Sequence, residues 1–514
     1  MKKNIFKLLF ISCTFLTACN KDHDSVVTPA EVNGAANIYP APPAKWSGGA
    51  SPHYTPAGYV GDVMPYYDGD SFHVFYLHDA RDGATGFHPW SKFTTKDLTD
   101  YTYNGVQIPY GASSDYDLAL GTGSIVKVNS TYYAYYSGFN PNFNGNGGKF
   151  RDNILLATSS DLTNWQKQAS FIIKPETTNG YSQWEFRDPY VFFNDEKNEY
   201  WMLVGGQQNG NATVMLYTTK DPATNNWVLQ NPAYTISDYK VPETPEMIKW
   251  GSFWYLIFSE NSVENVTRYR MATSSSGPWT TPVNDKFDGD YMYASKIATD
   301  GTNHYLFGWC ATKSGSSDMG SRDFGGNLIV HQLTQNSDGS LNVTVPANID
   351  HAFMNEQPLN LVLKQQDVNY NVNNITFPGS GREAFVTYDR IAGDRKITAT
   401  ISNIQAGAVF GILFGMDKAA DNTSYYKINF SEGDDIVSGF AVNNSTVSTD
   451  GQINFRLEPG KDYQLKIIID GSVCVVYVDD KVALTSRIYS LNNKLWGFFS
   501  NGSVEFKDIK LYNL

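Results

Sequence analysis

The chain of 514 residues carries 39 Lys and Arg against 52 Asp and Glu, a net charge of −13, which excludes binding of nucleic acid or another polyanion by bulk charge. Its 11 Trp, 33 Tyr and 30 Phe, with 43 Gly and many Asn, Asp, Ser and Thr, are the profile of strands joined by polar turns. At this length two domains are expected, both mostly β, and 41% apolar residues suffice to bury two cores, which excludes general disorder.

Lys2, Lys3 and Lys7 precede an apolar stretch, residues 8–16, that is too short to span a bilayer and has the charged-then-apolar order of a secretory leader. The leader ends Leu16-Thr17-Ala18-Cys19, which resembles the bacterial lipobox. That resemblance implies cleavage before Cys19 and its diacylation; an ordinary signal peptide with a chance cysteine is the alternative. Asp22 and Asp24 are similar to the acidic residues that follow the lipidated cysteine in surface-exported lipoproteins of Bacteroidetes type. An outer-membrane, cell-surface protein is therefore expected, touching the membrane only through its lipid. Residues 20–49, rich in Pro, Ala, Val and Gly without periodicity, read as a flexible tether. Once Cys13 leaves with the leader and Cys19 takes lipid, Cys310 and Cys474 remain, too few for a disulfide framework. No Cys/His cluster has zinc spacing and no Gly-rich loop suits a phosphate, so neither metal nor cofactor is expected.

Five aromatic-rich segments follow, at residues 72–76, 132–136, 200–204, 253–258 and 304–309, each after a polar turn that is itself preceded by a short apolar strand. Several units close with a related phrase ending in an aromatic residue: Tyr101, Trp165, Trp227 and Trp279. Hairpins repeated in this way, with a plug to pack one on the next, predict a five-bladed β-propeller over residues 50–347. A plain β-sandwich explains the strands but not the matched units. Beyond residues 348–376, which read as a connector, alternating strands without the blade phrase predict a jelly-roll β-sandwich over 377–514.

The innermost strand of each blade lines the channel of a propeller, so acids at the starts of different inner strands converge although distant in sequence. Asp62, Asp188 and Glu243 occupy such places, each beside Pro or Gly, with Ser124 at the start of the second blade. Here the chain resembles glycoside hydrolase family 32, the fructan hydrolases. Arg187-Asp188-Pro189 is similar to that family's Arg-Asp-Pro motif, Glu243-Thr244-Pro245 to its Glu-Cys-Pro, Gly123-Ser124-Ile125 to its Ser-Gly-Ser, Asp288 to Ala294 to its Asp-x-Gly-x-Asp-x-Tyr-Ala stretch, and Gly308-Trp309 to its Gly-Trp. The first motif departs: Tyr59-Val60-Gly61-Asp62-Val63-Met64-Pro65 lacks the Trp, the Asn and the Pro that usually surround the aspartate.

The resemblance implies a retaining glycosidase with Asp62 as nucleophile, Glu243 as acid and base, and Asp188 holding sugar hydroxyls in the transition state. Retention needs the two reacting carboxyl groups roughly 5 Å apart. Glu243 must hold its proton, through apolar surroundings such as Met247 and Trp250 or the charge of Asp62. Arg187, Glu185, Ser124, Trp90, Trp309 and Asp79 are the expected substrate-binding residues, with Trp184 and His78 as further candidates, and Glu246 is the rival acid, read as structural. The substrate expected is a fructan, above all levan cut internally, with glycan-import proteins as possible neighbours. Alternatives are a non-catalytic fructan-binding lipoprotein and an inverting five-bladed glycosidase of arabinose- or xylose-containing glycans. The sandwich, with Trp496 as its lone Trp, is expected to support the propeller rather than bind sugar.

Overall fold

Aromatic and β-branched side chains pack well on a pleated surface, and the polar stretches between them turn the chain. In the first hairpin the Asp68 carboxylate accepts hydrogen bonds from the backbone N–H groups of Asp70 and Ser71, while Gly69 takes a φ of 104° that closes the turn. The computed structural model describes residues 38–43, 58–79, 88–418 and 423–514. The leader, Cys19 and residues 20–37 and 44–49 of the tether lie outside the described residues.

Residues 59–344 form five antiparallel meanders. Blade one comprises Tyr59–Tyr67, Phe72–Asp79, Trp90–Thr95 and Thr102–Ile108, and blade two Ala119–Val128, Thr131–Phe139, Asp152–Ser159 and Gln166–Ile173. Blade three contains Tyr181–Asn194, Glu199–Gln208, Asn211–Thr219 and Val228–Leu229; blade four contains Glu243–Trp250, Phe253–Glu260 and Val266–Ala272. Blade five contains Met292–Thr299, His304–Lys313, Arg322–Gln335 and Leu341–Thr344. The first strand of every blade packs against the first strands of its two neighbours, blade five against blade one included, so the ring closes around a channel. The closing aromatics pack backwards: Trp165 sits edge-on to Phe75 of blade one, Trp227 edge-on to Tyr135 of blade two, and Trp279 donates its N–H to the Ala233 carbonyl of blade three.

The C-terminal domain is a sandwich of two antiparallel sheets. One runs Asn369–Asn371, Asn374–Pro378, Ser503–Asn513, Arg395–Ser402, Tyr463–Asp470, Val473–Val478 and Val482–Arg487. The other runs Leu361–Lys364, Ala384–Ile391, Lys494–Ser500, Val409–Met416, Ser424–Ser431, Ile436–Asn443 and Thr446–Asn454. Ile397, Ile412, Ile428, Phe498 and Phe506 fill the space between them. A separate core joins the domains, with Tyr39, Ile329 and Leu328 packed in one cluster with Val475 and Tyr477.

Two boundaries differ from expectation. Residues 348–376 are not a bare connector: they hold the helix Ala347–Ala352, and Asn355–Gln357, Leu361–Lys364 and Asn374–Pro378 pair into the sandwich sheets, their short polar sequences having hidden edge strands. Residues 38–43 are not a free tether. Ile38 and Tyr39 are buried, Tyr39 N–H donates to Asp470, and Leu328 N–H donates to the Pro40 carbonyl.

Candidate active site

At one level of the ring each first strand carries a bulge, where two residues oppose a single residue of the second strand: Gly61-Asp62, Gly121-Thr122, Asp188-Pro189, Thr244-Pro245 and Ala294-Ser295. A bulge bends its strand and re-aims the side chains around it. Asp188, Thr244 and Ala294 take left-handed φ values of 62°, 49° and 51°, a conformation that costs a non-glycine residue of order 1–3 kcal/mol and that collects at functional sites. Gly61 has a different reason: a Cβ there would stand 2.7 Å from the Phe324 ring.

The bulges bring Asp62, Asp188 and Glu243 together. Asp62 Oδ2 accepts a 2.7 Å hydrogen bond from Thr122 Oγ1, and Oδ1 one of 3.0 Å from Trp309 Nε1. Burial pushes the Asp62 carboxyl above its ordinary range, and the charge of Glu243 adds to this, while the two donors and nearby His88 pull it back. Asp188 is deeper. Its N–H donates to Ser137 Oγ, its Oδ2 accepts from Thr244 N–H at 2.9 Å, and burial, with Asp62 and Glu243 adding, pushes its carboxyl up to about 7 against the pull of Arg187. Glu243 is held by three donors: Arg187 Nη2 to Oε1 at 3.0 Å, Asn261 Nδ2 to Oε2 at 3.1 Å, and the Tyr293 hydroxyl to Oε2. Arg187 also pairs with Glu185. Three carboxyl groups in mutual electrostatic contact, each with its own donors, can divide proton donation, nucleophilic attack and hydroxyl binding among them.

Residues 53–342 match the family model described as the glycosyl hydrolases family 32 N-terminal domain, and residues 339–511 the GH32, BT1760-like, C-terminal domain. The chain belongs to glycoside hydrolase family 32. Among solved structures it is similar to a sucrose-6-phosphate hydrolase from Lactobacillus gasseri, at 19% identity over 89% of this chain and 91% of that one, with a TM-score of 0.68. An exo-inulinase from Aspergillus awamori matches at 18% identity over 92% and 98%, TM-score 0.68. The fructan 1-exohydrolase IIa from Cichorium intybus in complex with 1-kestose matches at 17% over 93% and 98%, TM-score 0.67. The family 32 chain is thus a glycosidase of β-fructosidic bonds, with the propeller and sandwich expected of it.

Several expected binding residues of this family 32 enzyme have other work. Trp309 is buried and offers no face to a sugar, its indole N–H being spent on Asp62. Trp90 is also buried, packed between Phe75 and Tyr136 with its N–H on the Gly121 carbonyl, so it is a blade plug rather than a platform. His78 is fully buried against Ser91 and the Pro43 carbonyl. Ser124 lies beyond the bulge, and its hydroxyl accepts from Val191 N–H, tying blade two to blade three; Thr122 is the residue level with Asp62. Asp79 ends its strand near the mouth with His88 Nε2 at 3.7 Å, and Glu185 stays at the site through Arg187. Trp184 is exposed, 42% accessible, with the Arg151 guanidinium 5.4 Å from its ring.

Two electrostatic expectations change as well. Trp250 stands at the far end of its strand from Glu243, pairing with Phe253 and stacking on His304, so it supplies no apolar wall for that carboxyl. Asp288, the first residue of the family-like stretch, is buried at the domain interface and not in the channel mouth. Glu246 lies past the bulge, buried, and accepts from Ile297 N–H at 2.7 Å; burial pushes it up to about 7, with Lys296 opposing. It lines a cavity of about 420 Å³ on the opposite side of the bulges, which contains none of Asp62, Asp188 and Glu243. Sequence reasoning missed Thr122, Asn261, Tyr293 and His88. Tyr293 sat inside the Asp288 to Ala294 stretch and Thr122 directly before Gly123-Ser124-Ile125, whereas Asn261 and His88 carry no local signal.

Proposed function

We propose that the chain is a retaining hydrolase of levan, the β-2,6-fructan, cutting within the polymer at the cell surface. The observation that supports the chemistry is the convergence of Asp62, Asp188 and Glu243 at the level of the bulges of blades one, three and four, with separate donors for each. In this mechanism ionised Asp62, its charge held by Thr122 and Trp309, attacks the anomeric carbon as Glu243 gives its proton to the leaving glycosidic oxygen. The fructosyl ester on Asp62 is then hydrolysed by water, from which Glu243 takes the proton, leaving both carboxyl groups as they began. Asp188 holds ring hydroxyls whose bonds tighten as positive charge grows, and Arg187 orients Glu243 between its roles.

Exposed Trp184 supports a polymer substrate, because an indole face outside the reacting centre offers stacking to a sugar further along the chain. The lysine-led leader and Leu16-Thr17-Ala18-Cys19 support the surface location and a lipid anchor, which would place the enzyme beside glycan-import proteins. Incubation with levan, inulin and sucrose separately, with products resolved by size, tests the substrate. Early oligofructosides from levan are expected; release of fructose alone rejects internal cutting, and cleavage of inulin or sucrose with levan spared rejects the levan preference. Labelling with a fatty-acid analogue should mark the wild type and not Cys19→Ala.

A further inference from the structure

Arg322, on the third strand of blade five, makes no close ion pair among the described residues, although the charge of Asp290 reaches it. Among the described residues no carboxylate comes within 4.0 Å of its guanidinium. Its Nε donates to the Asp290 carbonyl at 2.8 Å, Nη1 makes a long contact of 3.4 Å to Asn265 Oδ1, and Nη2 is buried with no hydrogen-bond partner. What faces the charge is aromatic. The guanidinium carbon lies 5.1 Å from the centre of the Tyr293 ring and 5.0 Å from that of Trp309, and these two rings meet edge-on at 5.7 Å. Tyr293 donates its hydroxyl to Glu243, and Trp309 its indole N–H to Asp62.

We infer that Arg322 is a positioning residue for both reacting carboxyl groups: packed on the Tyr293 and Trp309 rings, it fixes their orientation and, by drawing their electron density, strengthens the O–H and N–H donors that hold Glu243 and Asp62. A cation over an aromatic ring is attracted by the ring's negative face and is worth most where water is excluded. The same charge makes the ring's polar hydrogen a better donor, and a donor aimed at a carboxylate favours its ionised form. One residue outside the channel mouth thereby acts on the nucleophile and on the acid together.

The charged and titratable groups around this arrangement are Tyr293, Asp290, Tyr291 and Cys310 beside Arg322, then Glu243, Asp188, Lys296 and His88 around Asp62, and Arg187 and Asp188 beside Glu243. Arg322→Gln removes the charge and keeps a polar stem. Both carboxyl groups then lose support for their ionised forms, so the acidic limb, which needs ionised Asp62, and the alkaline limb, which needs protonated Glu243, move to higher pH.

The test is the pH profile of kcat/KM on whichever of levan, inulin or sucrose the wild type cleaves, so that failure of the levan preference leaves it intact. Arg322→Gln is expected to lose about tenfold at the optimum and to shift both limbs upward by about half a pH unit, while Arg322→Lys keeps both limbs in place. A loss with unmoved limbs, or an equal shift in Arg322→Lys, overturns the inference. Should Arg322→Gln fail to fold, Arg322→Lys is read against Tyr293→Phe: unmoved limbs in the lysine variant support the inference, and a shift as large as that of Tyr293→Phe overturns it.

Discussion

Trp309 and Asp62, 247 positions apart in the chain, are joined by one 3.0 Å hydrogen bond from the indole N–H to the carboxylate. A residue that reads as a sugar platform is therefore a holder of the Asp62 carboxylate. Trp309→Phe keeps the ring and removes the donor. It should lower kcat about 10- to 100-fold, the worth of a hydrogen bond to a charged group, with KM little changed. Steady-state kinetics check this, and a rise in KM alone would return Trp309 to substrate binding.

Asp62→Asn and Glu243→Gln should each reduce kcat by on the order of a thousandfold or more, since each removes a chemical role and preserves shape. Glu246→Gln should keep most activity, because Glu246 sits beyond the bulges on the far cavity. Circular dichroism confirms folding, and near wild-type turnover of either of the first two variants would reject its assignment.

Trp184→Ala should raise KM for levan by roughly three- to tenfold, the usual worth of an aromatic contact, and leave sucrose almost untouched. Equal effects on polymer and disaccharide would place Trp184 at the reacting centre instead.

Stability should fall as pH rises from about 4 to 8. Burial is the main cause that holds Asp188, Glu246 and Asp470 up to about 7 and Asp152 up to about 6. In that window each of these four groups binds its proton more tightly in the fold than in the unfolded chain, so each favours the fold below its unfolded value and loses that advantage as pH passes through the folded one, and together they outweigh buried His78, which is held down to about 4 and acts in the opposite sense. The Tm by calorimetry should be a few degrees higher at pH 5 than at pH 8, and Asp188→Asn, inactive, should narrow the gap. A Tm that rises over this range would contradict the account.

The domain interface should be as important to stability as either core. Asp288 accepts from Thr485 N–H at 2.7 Å and faces His331 Nε2 at 2.9 Å, while Lys313 and Asp450 form a buried pair at 2.5 Å between blade five and the sandwich. Asp288→Ala leaves Thr485 and His331 without their partner and should cost about 2–4 kcal/mol. A chain ending at Ala352 should be insoluble or unstable, because it exposes the surface that Val475 and Tyr477 cover. Wild-type stability in either case would show the domains to be independent.

Five aromatic strands at regular spacing, the polar turns before them and the plugs that close them are local patterns, so the propeller was legible in the sequence, as was the change to a sandwich. That Asp62, Asp188 and Glu243 converge was legible too, because residues at the bulges keep recognisable company, Gly before Asp62 and Pro after Asp188. The ends of both domains were not, since Tyr39 and the strand Leu361–Lys364 owe their order to partners far along the chain. Nor were the roles of aromatic side chains. Trp90, Trp184 and Trp309 are alike in one dimension, but depth of burial and the direction of a single N–H make them a plug, an exposed face and the holder of a carboxylate. Those properties arise only when the ring of blades closes, because hydrogen bonding and burial are set by neighbours in space rather than by neighbours in sequence.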